Sequence, residues 1–381
     1  MDAHKVLGDD LMNKDPFKEY IKESEPNKRD KGYAWHTAIG LQAVDGLKPS
    51  EYLIHTAIQN IEGKISLDEA QELLNSYYEE NPKTDGDRTE EADKVSVQIA
   101  KIISEKAFSF TPNEYISIHK RLFTGIYKHA GKIRDYNITK KEWVLNGATV
   151  LYGSASELRS TLEYDFSEEK KFSYKSLSMD EIIRHLALFV SRLWQIHVFE
   201  EGNTRATAVF LIKYLQKLGF ETTNDIFAEN AWYFRNALVR ANYNDLKNGV
   251  HETTEYLERF FENLLLGYHN ELKNRYLHMN YISNKEDAVQ SAGKSANVTA
   301  PKCKNCTLEE SAILHAIAEN PLITQKELAG MIGKSERTIK TRTVELQAKG
   351  YLRRENGKRS GRWKVLIPLL DENNSINYFE G

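Results

Sequence analysis

The sequence predicts an all-α fold with one small β-hairpin in its central part. Apolar residues recur at helical spacing over 179–196, and a second apolar run over 206–218 ends at a glycine, a common residue after a helix C-terminus. Asn146-Gly147, a strong signal for a hairpin turn, lies among β-branched and aromatic residues over 140–152. Because a ribbon of this size is marginal alone, we expect it to pack on the helices.

Helical patterns cover most of the remaining chain. The central part predicts helices over 94–108, 112–127, 154–164, 179–196, 204–218, 229–241 and 253–274. The segment 36–80 predicts two or three short helices, of which the last opens with a capping box at Ser66. Residues 1–35 are charged and predict an irregular leader or a frayed helix, whereas the segment 81–93 contains Pro and Gly and predicts an exposed loop.

Length and composition indicate a soluble globular protein of two or three domains, since 381 residues are 40% hydrophobic and 28% charged. The chain has no run of about eighteen apolar residues and its first residues are polar, so we expect neither a membrane span nor a signal peptide. Only Cys303 and Cys306 are present, which favours a reducing compartment and a cytoplasmic location. Their C-x-x-C spacing is half a zinc site at most, and surface thiols in a linker are the simpler interpretation.

Changes in periodicity divide the chain into four parts. We predict an N-terminal helical segment over 1–80, a central core over 94–275, a linker over 276–306 and a C-terminal domain over 307–370. The linker is rich in Ser, Asn and Lys and has no helical period.

The segment 197–205, HVFEEGNTR, lies between two predicted helices and is the most informative motif of the chain. His197 can accept a proton near neutral pH, and Glu201 is a hard oxygen ligand suited to a Mg²⁺ ion that bridges phosphates. Phe199 is expected to anchor the loop in the core. Either polar residue alone is better explained as an ordinary residue near a helix start, whereas the whole set favours a site.

The second half of this motif opens a helix and predicts a phosphate cradle. The backbone N–H groups of Gly202, Asn203 and Thr204 lie where a helix N-terminus favours an anion, and the glycine permits close approach. Arg205 offers a fork of donors to a phosphate oxygen. Such a set suits displacement at phosphorus, in which positioning and charge neutralisation dominate.

The motif resembles the signature of the Fic domain family, H-x-F-x-[D/E]-G-N-G-R-x-x-R. The matching residues are His197, Phe199, Glu201, Gly202, Asn203 and Arg205. The resemblance implies an all-α enzyme, and most characterised members transfer AMP from ATP to a hydroxyl side chain of a target protein. It implies that His197 is the general base, that Glu201 holds Mg²⁺, and that the loop residues after it hold the phosphates.

Two positions depart from the family signature. Thr204 replaces the second glycine, which is a mild change because threonine can cap a helix start. Ala208 replaces the last arginine and removes a cation that would grip the γ-phosphate. This leaves open which group is transferred.

Two further regions take their interpretation from the same resemblance. The hairpin corresponds to the family's flap, which holds a target segment by strand addition, although an isolated surface hairpin is the alternative. The flap residues are Glu142, Trp143, Val144 and Leu145. Tyr233 and Asn242 are candidates for contact with adenine and ribose, although core packing explains the aromatic residue equally well.

The segment 41–50 resembles Fic-associated antitoxins with the pattern [S/T]-x-x-x-E-G, in which the glutamate pairs with the last arginine of the motif and blocks the γ-phosphate. Here Asp45 takes the glutamate position and Leu41 the Ser/Thr position, while Ala208 replaces the arginine. A second alignment gives Glu62 the inhibitory role, and a plain helical layer over the core is a third interpretation. We hypothesise that the segment packs against the site but does not inhibit through that ion pair.

The C-terminal domain reads as helix, helix, turn, helix and hairpin, which resembles the winged helix–turn–helix family. Residues 326–364 carry twelve Lys or Arg and four Asp or Glu, an electrostatic pattern suited to phosphates. Arg337, Lys340 and Arg342 lie on the expected recognition helix, which would enter the major groove. A winged helix that binds protein is the alternative.

Two classes of function follow. The first is a protein adenylyltransferase that uses ATP and Mg²⁺ and modifies a Ser, Thr or Tyr hydroxyl of a target protein or of itself. The second is a nucleotide-sensing, DNA-binding regulator with weak or no transfer, and a Fic-type phosphotransferase is a variant of the first. We expect DNA as a partner through the C-terminal domain and no membrane, and a homodimer is left open.

Overall fold

The computed structural model describes residues 17–21, 25–82, 84, 86–220, 222, 225–281, 308–332, 334–355 and 361–366. Cys303 and Cys306, with most of the predicted linker, lie outside the described residues. In the part of the chain that is described, no helix is both long and apolar enough to cross a membrane.

The described residues are mostly helical. In chain order the elements are α1 (Lys18–Ile21), α2 (Pro26–Gly40), α3 (Glu51–Ile61), α4 (Leu67–Glu80), α5 (Thr89–Ser104), α6 (Pro112–Phe123), α7 (Leu158–Lys171), α8 (Met179–Ile196), α9 (Asn203–Lys217), α10 (Ile226–Glu229), α11 (Ala231–Arg240), α12 (Glu255–Leu266), α13 (Leu308–Glu319), α14 (Gln325–Ile332), α15 (Glu336–Ala348), β1 (Leu352–Glu355) and β2 (Arg362–Val365). The predicted helical class is therefore confirmed.

The chain divides into two compact units, and each is made of several stretches of sequence. The first contains Met1–Ile133, Phe199–Lys213 and Thr223–Trp232, and the second contains Arg134–Val198, Tyr214–Thr222 and Tyr233–Gly381. Helices α9 and α11 begin in the first unit and end in the second.

In the first unit, α2 packs along α5 and also contacts α10. Trp35 on α2 is buried, and its indole Nε1 donates a hydrogen bond to the Asn60 side chain at 3.0 Å. Of the two alternatives expected for residues 1–35, an irregular leader or a frayed helix, the helix is observed from Pro26 onward, where it packs on α5. The predicted loop 81–93 is wrong in its last residues, since α5 begins at Thr89.

In the second unit, α8 is the central helix, and α7 and α12 pack against it. It begins with a capping box in which the Ser178 hydroxyl accepts from the Glu181 N–H and the Glu181 carboxylate accepts from the Ser178 N–H. The observed bounds coincide with the predicted 179–196. The helix predicted over 253–274 ends earlier, at Leu266, because Gly267 follows with a φ of +67°.

The predicted hairpin over 140–152 is not formed as a β-ladder. The segment contains a short 3-10 turn, Trp143–Leu145, followed by Asn146 and Gly147 with φ of 53° and 86°. Val144 and Leu145 are both buried. A strand would send these neighbours to opposite faces, whereas the 3-10 turn allows both to point inward. The turn at Asn-Gly is as predicted, but the strands beside it are not.

The C-terminal domain has the predicted winged-helix order. Helices α13, α14 and α15 are followed by the antiparallel pair β1 and β2, in register from Leu352↔Val365 to Glu355↔Arg362. Among the described residues, this pair is the one sheet that forms. Trp363 is buried, and its indole Nε1 donates to the Ile323 carbonyl at 3.1 Å. Helix α13 also packs on α8 and α12, which belong to the same unit.

Candidate active site

His197 directly follows α8 and caps it. Its φ of 50° and ψ of 56° are left-handed, which is unusual for a residue other than glycine and is typical of functional positions. The ring packs against Tyr152, with centroids 4.3 Å apart, and against the edge of Trp194 at 5.3 Å. His197 is 4% exposed, and among the described residues neither ring nitrogen has a hydrogen-bond partner.

The surroundings of His197 favour its neutral form. Burial lowers the pKa of the imidazole well below its ordinary value, and the charges of Lys140 and Arg134 lower it further. Arg134 also fixes the backbone of the residue, because its Nε donates to the His197 carbonyl at 2.8 Å. A neutral imidazole can accept a proton, as a general base must.

The loop after His197 belongs to the first unit, and Asn203 closes it. The Asn203 side chain accepts from the Phe199 N–H at 3.0 Å and donates to the Phe199 carbonyl at 2.8 Å. Gly202 has a φ of +77°, and a Cβ there would lie 2.4 Å from the Phe123 ring. Glycine is therefore the residue that fits. Thr204, in the first turn of α9, is buried.

His119, a buried histidine that the sequence did not single out, packs against this loop. The His119 ring stacks on Phe199 with centroids 3.7 Å apart and an interplanar angle of 10°. Its Nδ1 accepts from the Gly131 N–H at 2.9 Å, so Nε2 carries the hydrogen and donates to the Glu201 carbonyl at 2.9 Å. Burial lowers the pKa of His119 to about 3, which keeps this arrangement neutral.

The Glu201 side chain is exposed at the same loop. The described residues contain no group of three or more His, Cys, Asp and Glu side chains that could hold a metal ion together. A single exposed carboxylate fits a Mg²⁺ ion that keeps several waters and takes its other ligands from nucleotide phosphates.

Arg205 lies in the interior of the first unit, although the phosphate interpretation expected its donors to face a ligand. It is 0% exposed. Its Nε pairs with Asp45 Oδ2 at 2.8 Å, and its Nη2 pairs with Glu91 Oε1 at 2.6 Å. Its Nη1 donates to the Gln42 side chain at 3.0 Å. The guanidinium is thus held by two carboxylates and an amide.

Glu91 ties the Arg205 cluster to α5. Arg88 donates to it from Nε and Nη2, both at 2.8 Å, and the Tyr127 hydroxyl donates at 2.6 Å. The guanidinium of Arg205 lies over the Phe123 ring, 4.8 Å from its centroid. Burial opposes the ionised form of Glu91, but the hydrogen bond from Arg88 and the charge of Arg205 outweigh it and lower the pKa.

Comparison with known families assigns the two domains. Residues 109–215, which include the whole motif, match the model of the Fic/DOC family. The chain contains a Fic/DOC domain. Residues 310–353 match the model described as winged helix-turn-helix DNA-binding. A search of curated proteins returns no match.

The antitoxin-like segment meets the Fic motif through a different arginine from the one expected. Asp45 pairs with Arg205, and Ala208, which takes the place of the expected partner, is buried and apolar. Glu62 pairs instead with Lys28, at 3.3 Å. The structure therefore brings Asp45 to the motif and gives Glu62 another partner.

The residues expected at the Fic flap are mostly internal. Glu142 is buried and accepts two hydrogen bonds from Arg235, at 2.7 and 3.1 Å. The Val144 carbonyl accepts from the Met279 N–H at 2.9 Å. Trp143 is the exception: it is 49% exposed. Of these four side chains, that of Trp143 is therefore the one that is accessible, and the other three are buried.

The two residues expected near adenine and ribose also have structural roles. Tyr233 is buried in α11. The Asn242 amide donates to the carbonyls of Ser191, at 3.0 Å, and Leu238, at 2.9 Å, and so joins the end of α11 to α8. Core packing and capping account for both positions.

The winged helix presents basic side chains on α15 and on the wing. Arg337 and Lys340 are exposed on α15. Arg342 is partly buried and pairs with Glu345 at 2.7 Å, so it is the least accessible of the three residues expected to meet DNA. Arg353 on β1 is exposed as well.

Proposed function

We propose that the chain is a Fic-type protein adenylyltransferase, which moves AMP from ATP to a hydroxyl of a target protein or of itself. The observation that carries this proposal is a buried His197 at the end of α8, immediately before the Gly202 loop, whose two ring nitrogens have no hydrogen-bond partner among the described residues. A binding role alone does not require a base with this environment.

The chemistry follows from these residues. The target hydroxyl oxygen forms a bond to the α-phosphorus while the bond from that phosphorus to the oxygen that joins it to the β-phosphate breaks. The hydroxyl proton moves to a ring nitrogen of His197, and pyrophosphate leaves. The N–H groups at the start of α9 bind phosphate oxygens, and Gly202 keeps the approach open. Glu201 would hold Mg²⁺, which would neutralise phosphate charge.

The test uses ATP labelled at either the α- or the γ-phosphate, with Mg²⁺, and compares wild type with His197→Ala. We expect protein-bound label from the α-position in wild type and none in the variant. Label from the γ-position alone would indicate a phosphotransferase. Absence of label from both, with nucleotide still bound, would refute the transferase proposal. Leu246→Ala, at an exposed residue, is the matched control.

A nucleotide-sensing regulator is the second candidate, and the burial of Arg205 favours it. With Arg205 paired to two carboxylates and Ala208 in place of the last arginine, the motif offers less positive charge to a triphosphate. In this case His197→Ala would leave nucleotide-dependent DNA binding unchanged. Fluorescence anisotropy of a labelled duplex, with and without ATP, measures this directly.

We also propose that α15 enters the major groove of DNA, with the wing against the backbone. The exposed Arg337 and Lys340 on α15 and the exposed Arg353 on β1 support this orientation. Binding should weaken steeply with salt, because counterions are released from the phosphates. A salt-independent affinity would favour the alternative, a winged helix that binds protein.

A further inference from the structure

A buried chain of side chains in the second unit leads to the His197 ring. Arg235 holds the Glu142 carboxylate with two hydrogen bonds, and the Tyr152 hydroxyl donates to the same carboxylate at 3.0 Å. The Tyr152 ring then packs on His197 at 4.3 Å, with an interplanar angle of 43°. Glu142 and Tyr152 are both buried. Glu142 and Tyr152 lie in the segment 140–152, in which the sequence predicted a hairpin, and Arg235 lies on α11.

We infer that Tyr152 is a positioning residue for His197 and that Glu142 and Arg235 orient it. The inference rests on the proposed function, in which His197 takes the proton of the attacking hydroxyl. A general base must bring its accepting nitrogen within about 2.6–3.2 Å of the donor atom. Since neither ring nitrogen of His197 has a partner among the described residues, ring contacts set its orientation.

Tyr152 is the ring contact of His197 that lies outside α8. Trp194, the other ring at His197, is buried on α8 as part of its apolar face. Tyr152 lies on a loop, and its ring is held by the hydrogen bond to the Glu142 anchor and by an edge contact with Trp194, with ring centroids 5.8 Å apart. That anchor is itself fixed, because the Glu142 N–H donates to the Ala148 carbonyl at 2.9 Å and the Glu142 carbonyl accepts from the Gly147 N–H at 2.9 Å.

The charges around this chain are consistent with the assignment. Burial and the charge of Glu142 raise the pKa of Tyr152, so its hydroxyl stays protonated and can donate. Burial lowers the pKa of His197, and the charges that lower it further are those of Lys140, Arg134 and Arg235. The Glu142 carboxylate, which accepts from Tyr152, forms an ion pair with Arg235.

The experiment compares Tyr152→Phe, which keeps the ring and removes the anchor, with Tyr152→Leu, which removes the ring. Tyr164→Leu is the matched control, because Tyr164 lies on α7 in the same unit and is 64% exposed. NMR titration of ¹³C-labelled histidines in the full chain reads the His197 pKa, and the His197 resonance is the one missing from His197→Ala. The transfer assay gives kcat and KM.

For Tyr152→Leu we expect the His197 pKa to rise towards its ordinary value of 6.5, because the ring no longer excludes water. We expect kcat to fall by roughly a hundredfold with little change in KM, as for a misplaced catalytic group. Tyr152→Phe should lower kcat less. An unchanged His197 pKa and kcat in Tyr152→Leu would overturn the inference.

The two arms keep this inference separate from the proposed function. If wild type transfers no label, the proposed function fails, and the NMR titration still decides whether Tyr152 sets the environment of His197. If Tyr152→Leu does not fold, Tyr152→Phe and Glu142→Gln take its place. Both substitutions alter the same hydrogen bond between Tyr152 and Glu142. The factor by which kcat falls in the double variant should therefore be smaller than the product of the factors in the two single variants. Full independence would contradict the inference.

Discussion

Glu91→Ala removes a buried carboxylate from the Arg205 cluster and should strongly destabilise the protein. The variant leaves a guanidinium that is 0% exposed, and Asp45 is then the one carboxylate among the described residues that still pairs with it. Removing one partner of a buried ion pair typically costs about 3–5 kcal/mol. We expect a loss near the lower end, about 3 kcal/mol, because Asp45 still compensates part of the charge.

The matched control is the adjacent residue. Glu90 pairs with Lys94 at the surface of the same helix turn, at 2.6 Å, and such pairs contribute about 0.3–0.5 kcal/mol. Urea unfolding of wild type, Glu91→Ala and Glu90→Ala gives the free energies of unfolding from the midpoints and slopes. The reasoning is refuted if the two variants lose the same stability.

The same variant carries a pH signature. Because the pKa of Glu91 is lowered in the folded protein, its contribution to stability is present above its ordinary pKa of 4.5 and is lost as the pH falls through the folded value. The stability difference between wild type and Glu91→Ala should therefore be constant near neutral pH and should narrow below pH 4.5. A gap that widens on acidification would contradict the assigned sign.

Three further predictions concern the loop, the N-terminal segment and the winged helix. Gly202→Ala should cost about 1–3 kcal/mol in urea unfolding, since its Cβ meets the Phe123 ring and its φ is positive; wild-type stability would contradict this. Asp45→Ala should not raise label transfer many-fold, because the motif arginine keeps its other buried partners; a large increase would instead show inhibition through this pair. Arg337→Ala should weaken DNA binding and lower the salt slope by about 1, measured by anisotropy, whereas Lys171→Ala on α7 should change neither.

The helices were predictable where the pattern is local. The bounds of α8 follow from apolar periodicity and from the capping box that begins at Ser178, and both signals are contained within the helix itself. The segment 140–152 shows the limit of such signals. Asn146-Gly147 correctly marks left-handed backbone, but its neighbours form a 3-10 turn because burial of Val144 and Leu145 outweighs strand propensity.

The motif of the candidate site could be predicted from the sequence, but the residues that pack around the motif could not. His197 and the loop after it stand together in the sequence, whereas Glu91 lies 114 positions from the arginine that it binds. Composition places Glu91 in a charged, exposed loop, because the residue type alone does not reveal whether a carboxylate is buried or solvated. His119 was missed for the same reason, since its partners come from the Gly131 turn and the motif loop.

The pairing of Asp45 shows how an altered motif can keep a contact. Residues three apart on a helix are neighbours on its surface, so Arg205 lies within one turn of Ala208 on α9. With alanine at position 208, the Asp45 carboxylate can therefore pair with Arg205, one helical turn earlier. Arg205 is then buried between the 41–45 segment and α5, whose carboxylates pair with it. Phosphates bound at this loop would then rely on backbone N–H groups and a Glu201-held cation, which is why label transfer and nucleotide-dependent DNA binding must be measured in the same protein.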